Sequence, residues 1–207
     1  MDQLKQTFFA LTQQYTPDEQ TTKQLWEDIA TQYEGKGRHY HTLDHLQSLL
    51  SELTAVKDLI TKWDAILFAL YYHDAVYNVL KSDNEEKSAV LAVKRMRTLN
   101  IPDPIINATE KHILATQKHL PGEDPDTDYF TDADLSILGT DWDTYQTYAR
   151  NVRKEYSIYP ALVYNPGRRK VLESFLTKER IFKTPYFHEK FEASAKQNLE
   201  KEIDSLK

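Results

Sequence analysis

The dipeptide His73-Asp74 directly follows an unbroken apolar run, Ala65 to Tyr72. A run that is apolar all round predicts a helix in the centre of the fold, so an imidazole and a carboxylate are carried into the core. Burying such groups costs several kcal/mol unless they are partnered. A divalent metal ion meets that need, because it neutralises the carboxylate and uses the imidazole lone pair. With 7 His and 17 Asp in 207 residues, chance alone gives about 0.6 such dipeptides, so context decides. His41 and His45 are four residues apart, on one side of a helix if both are helical. Asp132-Ala133-Asp134 adds two carboxylates. His45, His73, Asp74 and a carboxylate of that later pair would supply two nitrogens and two oxygens. That donor set suits Mn, Fe, Co, Ni, Zn or Mg. The chain has no cysteine, which excludes thiolate sites and disulfides.

Helices must position these groups. Only 5 Gly occur, and the apolar residues recur at helical spacing. A first helix is expected over Asp2 to Gln14. Thr16 is expected to cap a second, with Pro17 in its first turn, that ends before Gly35-Lys36-Gly37. The next runs from Thr42 to about Ile60, with Leu43, Leu46, Leu50 and Leu53 on its inner face. Trp63 to Leu80 is the central helix. Ser82 to Glu85 has capping-box spacing and opens a helix to Leu99. Asp103 caps one that runs to about Lys118, and His119 to Tyr129 reads as a loop. A short helix covers Asp132 to Leu138. Asp141 caps a helix through Ser157, Asn165-Pro166 caps another, and Thr184-Pro185 starts the last, with Phe187, Phe191 and Leu199 facing inward. These readings give an all-α single domain, 1–207, of about ten helices.

The net charge is −6, from 26 basic and 32 acidic residues, which argues against a grip on a nucleic-acid polymer. Charge is uneven, however. From Arg150 to Lys183, nine Lys or Arg stand against three Glu, a local +6. That segment is either a solvated face or a basic wall for an anionic small molecule. The N-terminal residues lack the basic-then-apolar order of a signal peptide, and the longest apolar run is too short to span a bilayer. A cytoplasmic protein with no membrane partner is expected; a homo-oligomer is left open.

The order His45, His73-Asp74, Asp134 on helices resembles the HD superfamily of metal-dependent phosphohydrolases. Leu70-Tyr71-Tyr72-His73-Asp74 is similar to its second motif, and Ala133-Asp134-Leu135-Ser136 to its last. Arg38-His39-Tyr40-His41, Asn84-Glu85-Glu86-Lys87-Ser88-Ala89 and Asp132 to Gly139 resemble one bacterial subgroup described as predicted HD phosphohydrolases, over nearly the whole chain. The resemblance implies an HD-type helical bundle with His45, His73, Asp74 and Asp134 as metal ligands. Asp132 then becomes the N-cap of the short helix or a carboxylate that orients a ligand histidine.

The implied reaction is attack of metal-activated water on a phosphate ester or anhydride of a nucleotide or similar small phosphorylated metabolite. Glu85 or Glu86 is the candidate general acid or base. Arg38, His41, His119, Arg153 and Arg168 are candidate substrate contacts. Some members hold a second metal with histidines between the HD pair and the last Asp, where His112 and His119 fall. Two alternatives follow: a di-iron oxygenase needing both of those, and a non-catalytic metal-stabilised module that binds a nucleotide or a partner protein.

Overall fold

The structure, a computed structural model, describes residues 2–120, 122 and 124–206, the side chain of Asp2 excepted. Among them are ten α-helices, two short 3-10 helices and no strand. They form two compact units, Met1–Thr131 and Asp132–Lys207.

The first unit contains α1 (Asp2–Gln13), α2 (Glu19–Tyr33), α3 (Leu43–Ala55), α4 (Trp63–Tyr72), α5 (Asn84–Thr98), α6 (Asp103–Ala115) and most of α7 (Pro125–Asp134). A 3-10 turn, Lys57–Leu59, follows α3. Helix α4 is the hub: no residue from Ala65 to Tyr72 is more than 4 % exposed, and α1, α3, α5 and α6 pack around it. Two hydrogen bonds tie it to neighbouring helices. Tyr71 Oη donates to the Leu4 carbonyl at 2.8 Å, and Thr109 Oγ1 to the Ala65 carbonyl at 3.1 Å. The first N–H groups of a helix have no partner within it. At the start of α4, Asp126 of α7 accepts from Thr61 N at 2.9 Å and Lys62 N at 2.7 Å.

Several expected boundaries move for physical reasons. The cap of α2 is Asp18, whose Oδ1 accepts from Gln20 N and Thr21 N, while Thr16 Oγ1 only accepts from Asp18 N. Gly37 lies at φ +94, a conformation that favours glycine, in the turn between α2 and α3. The central helix stops at Tyr72 rather than Leu80. Arg38 takes the Asp74 and Ala75 carbonyls and Ser88 Oγ takes the Val76 N–H, so the helical ladder cannot continue. The capping box at Ser82 does not form: the N-cap of α5 is Asp83, with no side-chain bond to the backbone. Likewise Pro102, not Asp103, precedes α6. The expected loop to Tyr129 gives way to α7 at Pro125, where Asp124 Oδ1 accepts from Asp126 N at 3.1 Å. Pro121 and Glu123 of that loop lie outside the described residues.

The second unit holds the end of α7, a 3-10 helix (Leu135–Gly139), α8 (Trp142–Glu155), α9 (Ala161–Leu176) and α10 (Pro185–Ser205). Asp141 caps α8 and Thr184-Pro185 opens α10, as their sequence signals predict. Helix α9 starts at Ala161, so Pro166 lies inside it rather than at its start. The acceptor deprived by proline's missing N–H belongs to Leu162, which is exposed and reaches water. Gly139 sits against α10: a Cβ there would fall 2.5 Å from Phe191 Cβ and 2.6 Å from the Phe191 carbonyl oxygen. Asn198 of α10 clasps the same stretch, donating to the Leu138 and Thr140 carbonyls, each at 2.9 Å. Phe187, Phe191 and Leu199 are buried on the inner face of α10.

Candidate metal centre

His45 is in the first turn of α3, and His73 and Asp74 directly follow α4. The packing of α3 on α4 brings them together. His45 Nε2 and His73 Nε2 are 3.2 Å apart. Asp74 Oδ2 lies 3.1 Å from His73 Nε2 and 3.9 Å from His45 Nε2. Candidate donor atoms of the three residues all fall within 4.8 Å of one another, and this group could hold a metal ion. Two donors about 2.1 Å from one ion and at right angles would be separated by about 3 Å. The two shortest separations match that spacing.

The protonation state also fits. His73 Nδ1 lies 3.1 Å from the Leu70 carbonyl, an acceptor only. Nδ1 therefore carries a ring proton, and Nε2, which holds the lone pair when the ring is neutral, faces Asp74. A lone pair that close to a carboxylate oxygen and a second imidazole is stable only with a proton or cation among them. His45 and His73 have side chains 5 % and 1 % exposed, against 18 % for Asp74, so one side of the group is open and the other dry.

His41 borders the group, with Nε2 3.9 Å from Asp74 Oδ2 and its ring 4.3 Å from that of Tyr77. It precedes Thr42, the N-cap of α3, so His41 and His45 do not share a helix. Glu85, in the first turn of α5, is half-buried. Burial pushes its carboxyl above the usual range, with the charges of Asp74 and Glu86 acting the same way and its own N–H and His119 opposing. Glu86 is exposed and accepts from Gln117 Nε2 at 2.8 Å. The motif around these acids also knits the loop after α4. Asn84 Oδ1 accepts from Asn78 N and its Nδ2 donates to the Asn78 carbonyl, while Ser88 holds Val76.

Other sequence candidates have different tasks. Arg38 donates to three main-chain carbonyls, of His41, Asp74 and Ala75. Arg153 donates to the Tyr156 and Tyr159 carbonyls, both at 2.9 Å, and lies over the Tyr164 ring. Arg168 forms a forked pair with Glu202, at 2.7 and 3.0 Å, and their side chains are 9 % and 7 % exposed. All three guanidiniums hold the fold itself, where the sequence suggested phosphate contacts.

Asp132 is fully buried inside α7 rather than capping a short helix. It accepts from Lys183 N, Thr184 N and Thr184 Oγ1, and pairs with Lys183 Nζ at 2.9 Å. It thus serves the start of α10. Asp134 is the last residue of α7 and belongs to the second unit.

His112 is fully buried, its Nδ1 2.9 Å from Thr127 Oγ1, and its Nε2 has no hydrogen-bond partner. Phe130 lies against both His73 and His112, with ring centroids at 5.7 and 6.3 Å. Neither His112 nor His119 belongs to the three-residue donor group. Residue 119 takes a left-handed φ of 48 just past α6.

Burial lowers the His112 pKa from 6.5 to about 4, with Asp124 and Asp126 opposing. The unfolded chain therefore takes up this proton first. The stability tied to His112 is complete above about pH 6.5 and is lost as pH falls towards about 4. The loss amounts to up to about 3 kcal/mol. Urea unfolding across that range should show a steeper decline for the wild type than for His112→Gln. Parallel curves would mean that His112 does not titrate this way.

Sequence reasoning missed Asp126, whose partners lie more than sixty residues away, and the Tyr33 hydroxyl, which accepts the Asp74 N–H at 3.2 Å. Nothing local marks either residue. No helix among the described residues is long and apolar enough to cross a membrane. No protein-family model, curated protein or solved structure matches the chain.

Proposed function

We propose that the chain is a metal-dependent phosphohydrolase acting on a nucleotide or similar small phosphorylated metabolite in the cytoplasm. The observation that carries this reading is the convergence of His45, His73 and Asp74, with His73 Nε2 turned towards the carboxylate. These residues hold the divalent ion. When bound, it supplies a Lewis acid for a phosphoryl oxygen and a water acidic enough to act near neutral pH.

The protein's own groups do the rest. Glu85, whose carboxyl burial pushes above the usual range, is the candidate general acid or base for the leaving oxygen. His41, which borders the donor group, and His119 are the candidates to contact the anionic group, since the three arginines already bond main-chain carbonyls or Glu202. The dry wall behind the donors, His73 and Phe130, keeps bulk water from that side. The oxygenase alternative is less well supported, because neither His112 nor His119 belongs to the three-residue donor group.

The test is release of phosphate from a panel of nucleotides and sugar phosphates by metal-stripped protein reloaded with Mn, Fe, Co, Ni, Zn or Mg. Turnover that needs metal and is lost in Asp74→Asn is the expected result. No turnover with any metal, from protein shown to bind it, would overturn the reading in favour of a non-catalytic module.

A further inference from the structure

Asp74 lies beyond the last residue of α4, so no helical ladder fixes the peptide groups beside its carboxylate. Side chains fix them instead. The Asp74 N–H donates to Tyr33 Oη at 3.2 Å. The Asp74 carbonyl accepts from Arg38 Nη2 at 2.7 Å, and the next carbonyl, of Ala75, accepts from the same nitrogen at 3.1 Å. Arg38 Nη1 meanwhile donates to the His41 carbonyl at 3.0 Å. One guanidinium therefore ties the segment leading into His45 to the segment that carries Asp74.

The guanidinium is itself held. Its carbon lies 4.9 Å from the Tyr33 ring centre and 5.2 Å from that of Tyr77. Tyr77 in turn packs on His41, whose Nε2 is 3.9 Å from the Asp74 carboxylate. The contacts close a loop through Tyr33, Arg38, Tyr77, His41 and Asp74. A planar fork can face three carbonyls at once and lie flat on aromatic rings; an ammonium on a flexible stem cannot do both.

We infer that Arg38 is a positioning residue for the metal donors: clamped against Tyr33 and Tyr77, it sets where Asp74 and the His41–His45 segment stand. The inference rests on the reading of His45, His73 and Asp74 as a metal site. Partners of this kind tune a metal centre by fixing its ligands, and their loss typically weakens binding by about 10- to 100-fold.

The experiment is titration of metal-stripped protein with Co(II), read by visible absorption, for wild type, Arg38→Lys and Tyr33→Phe. Thermal melting of each metal-free form runs alongside. For Arg38→Lys the expected result is a dissociation constant raised about 10- to 100-fold, with altered band energies or intensities. Tyr33→Phe keeps the ring but removes the acceptor for the Asp74 N–H, and should shift the spectrum the same way with a smaller loss of affinity.

A purely structural role would lower the melting temperature and leave the bound-Co(II) spectrum as in the wild type; that outcome overturns the inference. So does unchanged affinity in Arg38→Lys. If Arg38→Lys does not fold, Tyr33→Phe decides alone, and a wild-type spectrum and affinity there overturn the inference. Wild-type protein that binds no Co(II) removes the metal reading itself, and the inference with it.

Discussion

Replacing His73 by alanine is expected to strip the protein of its metal while leaving its helices in place. His73 is 1 % exposed, its Nδ1 is engaged by the Leu70 carbonyl, and its Nε2 faces both His45 and Asp74. Without it two donors of the first unit's group remain, and no cysteine stands in reserve. The loss of affinity should exceed the factor of about 10 to 100 that follows loss of an outer partner. Metal content per folded protein, read beside the helical circular dichroism signal, checks this, with His39→Ala as a control. His73→Ala protein that keeps a full complement of metal would refute the assignment of His73 as a ligand.

The second large effect is on stability. Glu202→Ala should destabilise the second unit by about 3–5 kcal/mol, because it leaves a buried guanidinium without its counter-charge. Glu202 accepts both arms of Arg168 and the Tyr145 hydroxyl at 2.5 Å, and none of the three is exposed. Burial pushes the Tyr145 hydroxyl far above its usual range, so it stays a neutral donor to that carboxylate. The double variant Glu202→Ala/Arg168→Met should recover part of the loss, since it removes the stranded charge as well. Denaturant unfolding of the two variants and the wild type measures this. A single variant within 1 kcal/mol of the wild type would mean that water reaches the pair and that its burial has been overstated.

What the sequence made legible were the features whose cause is local. The run from Ala65 to Tyr72 has no polar face, so it can only be a core helix, and it is. Asp141 before α8 and Thr184-Pro185 before α10 are local start signals and act as such. The pair Asp124-Pro125 is a signal of the same kind, although the segment around it reads as loop from its Pro, Gly and Asp content.

The illegible features depend on chain far away. Helix α4 ends where it does because Arg38 and Ser88 claim the next peptide groups, and they lie 36 and 12 residues from their partners. Asp126 and Asp132 sit six residues apart on α7, yet one serves the start of α4 and the other the start of α10. A carboxylate facing main-chain N–H groups looks, in sequence, like one facing a metal. That is why Asp132 was open to a role beside the histidines. The arginines are ambiguous in the same way, because guanidiniums recognise main-chain carbonyls and glutamate as readily as phosphate. Among the site residues, His45, His73 and Asp74 were legible because two of them adjoin the apolar run and the third borders the inner face of α3.

The most direct test of the central claim is an anomalous difference map from crystals of the protein loaded with Mn(II) or Zn(II), collected at the edge of that metal. A peak about 2.0–2.3 Å from His45 Nε2, His73 Nε2 and an Asp74 carboxylate oxygen is the predicted result. A map with no peak there, in crystals whose solution shows the metal bound to the protein, would contradict it.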